Sequence, residues 1–209
     1  SLAGTPIYSS WLLQETRMRL RKMLLSESQQ LNIAIIGDSY TQNASRYTQA
    51  VAATLQTTYG LAGVGWIGFG WYGTASGTWS DGSQPTGVDG SVRPDLVTVC
   101  KIIGTWTCSY NVGANNTPSL SKITSSTAND YVRFTVPANH DEAVLYYAGD
   151  GTGVIAVSWD DGSNYGSNIN LDTVGAANVS LGEPTTGTAR IKVISGNVTL
   201  AGVDLRSDD

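Results

Sequence analysis

The tetrapeptide Gly37-Asp38-Ser39-Tyr40 sets a hydroxyl, a carboxylate and a phenol directly after the apolar run Leu31-Asn32-Ile33-Ala34-Ile35-Ile36. A near-continuous apolar run of that length reads as a strand covered on both faces. A serine at the turn leaving such a strand for a helix stands at the carboxyl edge of a sheet, where open α/β sheets bind ligands. Its N–H lies in the first helical turn, whose dipole favours a developing negative charge. Gly37 permits the tight turn and a close substrate approach, and Asp38 can hold the turn by accepting nearby N–H groups. The local logic resembles that of a nucleophile elbow, although the sequence around Ser39 differs. A serine hydroxyl needs a base. The single histidine, His140, sits in Pro137-Ala138-Asn139-His140-Asp141-Glu142 between two expected strands and reads as an exposed loop residue.

A second set of residues suits binding rather than catalysis. Trp66, Trp71, Trp79, Trp106 and Trp159, with Tyr72, Tyr110 and Tyr165, offer apolar faces with polar tips, which suit sugar rings. Trp79, Trp106, Trp159 and Tyr165 are the candidate binding residues among them, with core packing as the competing role. Asp160, Asp161 and Asn164 carry oxygens of the kind Ca²⁺ takes, but Asp160-Asp161-Gly162 reads first as a hairpin turn. Two cysteines, Cys100 and Cys108, and one histidine do not make a four-ligand zinc site, so no metal is expected. A Cys100–Cys108 bridge depends on a Cα separation that sequence does not give. Sequons begin at Asn43, Asn115, Asn178 and Asn197 and matter only in a eukaryotic secretory pathway.

The elements that would position these residues change character near residue 75. Before it, Ser9 and Ser10 can cap a helix over residues 11–28, with Trp11, Met18 and Leu25 recurring every seven residues as an apolar stripe. The strand at 31–37 follows, and then a helix over 41–58 with Tyr47, Val51 and Leu55 spaced by four. A Gly-Trp-rich stretch leads out of it. After residue 75 the helical signals vanish. Residues 131–136, 143–148, 153–159, 189–194 and 197–205 alternate at strand period between Gly- and Asp-rich turns, the pattern of an antiparallel sandwich. One β-α unit cannot cover a doubly buried strand. The expectation is therefore an incomplete α/β domain at 1–75, a β-sandwich at 76–205 and a tail at 206–209 leading to a C-terminal continuation or a second chain.

Residues 33–41, Ile-Ala-Ile-Ile-Gly-Asp-Ser-Tyr-Thr, resemble the first conserved block of the SGNH (GDSL-type) hydrolases. The resemblance implies a flavodoxin-like α/β/α fold whose first β-α unit is followed here by an inserted jelly-roll-like sandwich. It also implies ester hydrolysis by acyl transfer, often of acetyl groups on sugars, with the block-one serine, Ser39, as nucleophile and its N–H as one oxyanion donor. The family's later glycine, asparagine and Asp-x-x-His blocks have no counterpart in the 209 residues. On this reading the chain is part of a carbohydrate O-deacetylase acting on bacterial surface polysaccharide, close to inert alone and using no cofactor. The layout is similar to SGNH proteins of phage tails, which implies a virion or secreted location. The alternatives are a glycan-binding module or a structural tail protein, for which a homotrimer is the expected oligomer.

Composition narrows the partners. The chain is 41% hydrophobic, enough for a core, but only 14% charged, with a net charge of −5. The acidic balance argues against nucleic acid, since phosphate binding needs clustered cations. The one clear cluster, Arg17, Arg19, Arg21 and Lys22, reads as a solvated helix face. No apolar run approaches the ~20 residues of a membrane span, and no signal peptide is visible. An acetylated sugar or polysaccharide is the expected partner.

Overall fold

The computed structural model describes residues 14–25, 54, 57–58, 65–69, 75–85, 99–110 and 121–207. It divides into two compact units, residues 1–62 with 208–209, and Gly63–Ser207. In the first unit one helix, α1 (Gln14–Leu24), carries Arg21 and Lys22 in its last turn, where cations complement the helix dipole. Met18, Leu24 and Leu25 are exposed on or just after it. Within the expected second helix, Thr54, Thr57 and Thr58 are helical, and the Thr58 hydroxyl donates to the Thr54 carbonyl at 2.9 Å. The expected strand at 31–37 lies outside the described residues, as do Gly37, Asp38 and Ser39.

The second unit is built of strands: β1 (Gly65–Gly68), β2 (Ala75–Trp79), β3 (Cys100–Tyr110), β4 (Ser121–Ser125), β5 (Tyr131–Val136), β6 (Glu142–Asp150), β7 (Gly153–Ser158), β8 (Ile169–Leu171), β9 (Val174–Gly182), β10 (Gly187–Ser195) and β11 (Val198–Arg206). Alternation decides which face they bury. Val132, Phe134 and Val136 of β5 point into the core, and Ile191 and Val193 of β10 do the same. The strands join in one curled sheet in the order β8-β7-β10-β5-β3-β4-β11-β6-β9, with β2 added beside β3 and β1 beside β11. All ten pairings are antiparallel. The two layers this makes enclose Phe69, Ile102, Trp106, Ile123, Phe134, Leu145, Ile191 and Leu200.

This corrects the expected fold class. The described residues hold no flavodoxin-like α/β/α layering and no parallel pair; every strand pairing described is antiparallel, and the helical residues are α1 with Thr54, Thr57 and Thr58. Strand β1, read from sequence as part of a linker, pairs with Val203 and Leu205 of β11 and so belongs to the β unit. The physical reason is local. Gly202 of β11 lets Gly65-Trp66-Ile67-Gly68 lie close against it, since a Cβ there would strike the Ile67 carbonyl and the Trp66 ring.

The layers are continuous because β3 serves both. Cys100–Ile103 pair with β5 in one layer, and Thr107–Tyr110 pair with β4 in the other. The strand turns at Gly104, whose φ of +105° lies in the left-handed region. A Cβ there would fall inside the carboxylate of Asp130. That carboxylate is buried and accepts the Thr105 N–H at 2.9 Å and the Ser125 hydroxyl at 2.6 Å. The corner is thus closed by backbone pairing outside and by a satisfied carboxylate inside.

Candidate functional site

At the other side of the curl, β8 and β9 are the two ends of the strand order and do not pair with each other. Partly buried Ile169 of β8 and Val179 and Leu181 of β9 pack on the core there. A cleft of about 560 Å³ opens along this seam. Val157 and Ile169 form one side. Leu181 and Thr185 form the other. The connection from β7 to β8 supplies Trp159, Asp160, Asn164, Tyr165, Gly166 and Ser167.

That connection is fixed from within. Asp161 (φ 56°) and Gly162 (φ 87°) are successive left-handed residues that reverse the chain after β7. The Ser158 hydroxyl donates to Asp160 Oδ1 at 2.6 Å and accepts the Gly162 N–H at 2.8 Å. Asp160 also accepts the Asn164 N–H at 2.8 Å and its side-chain amide at 2.6 Å. These bonds, led by the one from Ser158, pull the Asp160 pKa down to about 2. Asp161 accepts from Arg190 Nε at 2.8 Å and Arg133 at 3.1 Å, and its pKa is lowered for that reason. Both carboxylates are engaged by protein donors, the arrangement of a turn. Among the described residues no group of three or more His, Cys, Asp or Glu could hold a metal ion.

The aromatic side chains are held from outside the cleft. The Trp159 ring stands edge-on to Phe134 of the core, 6.4 Å between centroids. The Lys192 ammonium lies 3.8 Å from the centroid of the Tyr165 ring. Burial raises the Tyr165 phenol above its ordinary value, opposed by the charge and hydrogen bond of Arg190 beside it.

The cleft therefore brings together Trp159 and Tyr165 of the four candidate binding residues. It does not include the others. Trp106 is buried in the core, where its Nε1 donates to the Ile103 carbonyl at 3.0 Å. Trp79 packs partly buried against the same core. Trp66 meets Tyr146 edge-on at 5.3 Å on β1. His140 is a correction: it is buried, and its Nδ1 is 3.0 Å from the Pro137 carbonyl, so a polar side chain completes a turn instead of facing solvent. Cys100 and Cys108 form no disulfide: both are buried on one strand, eight residues apart, too far for a bridge. Burial pushes the Cys108 thiol up to about 12. Sequence reasoning missed Ile169, Leu181 and Thr185. Two segments far apart in the pairing order meet at the seam, and no local spacing signals that.

No family model and no curated protein matches the chain. Solved structures similar to part of it include the Agl-KA catalytic domain (12% identity, 52% of this chain, TM-score 0.41). The catalytic domain of a GH87 α-1,3-glucanase in complex with nigerose is similar at 14% identity over 52% of this chain, TM-score 0.40. The carbohydrate-binding module CBM6cm-2 from Cellvibrio mixtus lichenase 5A, in complex with cellotriose, is similar at 13% identity over 44% of this chain and 81% of that one, TM-score 0.34. The chain spans 26% of the length of the two catalytic domains. The resemblance of residues 33–41 to the SGNH hydrolases is overturned as a guide to the fold: no family model matches, and the described residues form an antiparallel β sheet where that family requires α/β layers.

Proposed function

We propose that the β unit binds carbohydrate in the seam between β8 and β9. The observation that carries this reading is the cleft itself. Two aromatic side chains on a pinned connection stand over an apolar floor, with the amide of Asn164 and the hydroxyls of Ser167 and Thr185 at its rim. A sugar ring has apolar C–H faces and a belt of hydroxyls, so it stacks on indole or phenol while its edge hydrogen-bonds. Trp159 and Tyr165 are the stacking residues in this reading, and the connection that holds them is ordered before any ligand arrives, which limits the entropy lost on binding.

The lining residues suit holding a sugar better than cleaving it. Asp160 is the only acid among the described lining residues, and a carboxyl group at about 2 is ionised at any ordinary pH and its oxygens are occupied. A general acid works best with a pKa near the operating pH. The direct test is retention of the 209-residue chain on a glycan array, beside Trp159→Ala and Tyr165→Ala. Each substitution is expected to weaken retention about ten-fold or more, as for aromatic anchors at other interfaces. Retention that survives both changes would remove the seam as the site.

A further inference from the structure

The outer face of the layer that carries the cleft is cationic in a chain whose net charge is −5. Register places Lys101 beside Arg133 and Arg133 beside Arg190, one row across β3, β5 and β10. Lys192 stands two residues along β10, on the same face, opposite Tyr131. Asp81 and Asp161 are threaded into the row. Lys101 pairs with Asp81 at 2.8 Å, Arg133 with both carboxylates at 3.2 and 3.0 Å, and Arg190 with Asp161 at 2.8 Å. Three cations thus share two carboxylates, and Lys192 is a fourth beside them. The surplus rests on aromatic faces: Arg190 is 4.6 Å from the Tyr131 centroid and Lys192 is 3.8 Å from that of Tyr165. Lys192 makes no ion pair with a carboxylate among the described residues.

Tyr165 belongs to both features. It lines the cleft, and its ring carries the Lys192 ammonium. A cation over an aromatic ring is held in place without being neutralised, so it keeps its attraction for an anion. Resting on the carbohydrate reading of the cleft, we infer that the saccharide it takes is acidic. A carboxylate or sulfate one sugar away from the ring stacked at Trp159 and Tyr165 is bound by Lys192, with Arg190 beside it. An ammonium supplies a charge-assisted hydrogen bond, the strong kind.

Paired polymers test this. Polygalacturonate, alginate, hyaluronan and chondroitin sulfate are titrated into the 209-residue chain by calorimetry, each beside its carboxyl-reduced or desulfated form. At least one acidic polymer is expected to bind about ten-fold more tightly than its neutral counterpart, an advantage that shrinks as NaCl is raised. Lys192→Gln is expected to abolish that advantage, while Trp159→Ala weakens both forms. Circular dichroism melting of each variant separates lost binding from lost fold. Carboxyl-reduced against desulfated forms tells which anion is read. Equal binding of acidic and neutral forms, or an advantage untouched by Lys192→Gln, overturns the inference and leaves the carbohydrate reading standing. Failure of every polymer, neutral and acidic, overturns both. A single-stranded oligonucleotide bound as tightly as the best acidic polymer would show attraction by charge alone and also overturn it.

Discussion

The β unit curls into two layers, and its two sides are closed differently. At the Gly104 corner the sheet is continuous: β3 runs through it, Ile102 and Trp106 on either side are at most 1% exposed, and a buried carboxylate satisfies the groups the bend frees. At the β8–β9 seam no strand crosses, and Trp159, Ile169 and Leu181 are only partly covered. A curled sheet must end somewhere, and where its edges meet without pairing the core reaches the surface. One side holds the fold. The other presents apolar side chains already positioned for something to cover them.

Substitution at the corner breaks that comparison most severely. Gly104→Ala meets two penalties, a left-handed φ and a collision with the Asp130 carboxylate, and is expected to cost on the order of 4 kcal/mol in urea unfolding. Asp130→Ala leaves the Thr105 N–H and the Ser125 hydroxyl without their buried acceptor, a loss of about 3 kcal/mol. The two are expected to couple. With the carboxylate gone, the two closest atoms are removed and the Cβ of residue 130, 2.9 Å away, still crowds the methyl of Gly104→Ala, so the double variant is more stable than the sum of the singles predicts but not fully relieved. Strict additivity would mean that the collision does not govern the corner.

Inside the curl the same contrast is read with two touching rings. Phe134 is 1% exposed and Trp159 stands edge-on to it in the seam. Phe134→Ala is expected to cost about 3–4 kcal/mol, and Trp159→Ala about half of that although it removes the larger ring. Sugar binding is expected to respond in the opposite order, Trp159→Ala abolishing most of it. If Trp159→Ala proves the more destabilising of the two, the seam is as tightly packed as the corner.

Sequence reached the two sides unequally. Strands at 131–136, 143–148, 153–159, 189–194 and 197–205 were legible because alternation is local, and β5 is Tyr131–Val136 with that alternation intact. The turn at Asp160-Asp161-Gly162 was legible from its residue types, and Trp159 and Tyr165 stood out as aromatic. The corner was not legible. Gly104 is one of 24 glycines, and what distinguishes it is Asp130, brought there by pairing over 26 residues of chain. The seam was hidden for the same reason, since β8 and β9 are neighbours in sequence but opposite ends of the pairing order. The α/β expectation came from a nine-residue block that lies outside the described residues, and a block so short constrains a turn better than it constrains a sheet. His140 departs from its expected exposure because a loop position does not fix where a side chain goes: its imidazole fills the turn beside Pro137.

Smaller effects sharpen the contrast at the turn that carries the binding aromatics. The folded pKa of Asp160, about 2, lies below its ordinary 3.8, so the stabilisation linked to its ionised form is fully present above about pH 4 and is lost as pH falls through 2. Asp81, Asp150 and Asp161 are also lowered and act in the same direction. Melting temperatures should therefore fall between pH 4 and 2, and the fall should be shallower in Asp160→Asn. An equally steep fall in that variant would assign the acid sensitivity to the other carboxylates.

The least effect is expected at Asp81. Its hydrogen bond to Lys101 lowers its pKa first, with Arg133 adding attraction, yet its side chain is 60% exposed. Water and salt screen such a pair, and the side chains lose rotamer freedom to make it, so Asp81→Asn should cost about 0.5 kcal/mol or less. It also removes one of the two carboxylates that neutralise the cationic row. If an acidic saccharide is drawn by that row, Asp81→Asn should tighten its binding at low salt while barely moving the melting temperature. Weaker binding would mean that Asp81 orders the row for its ligand, a role in which geometry outweighs charge.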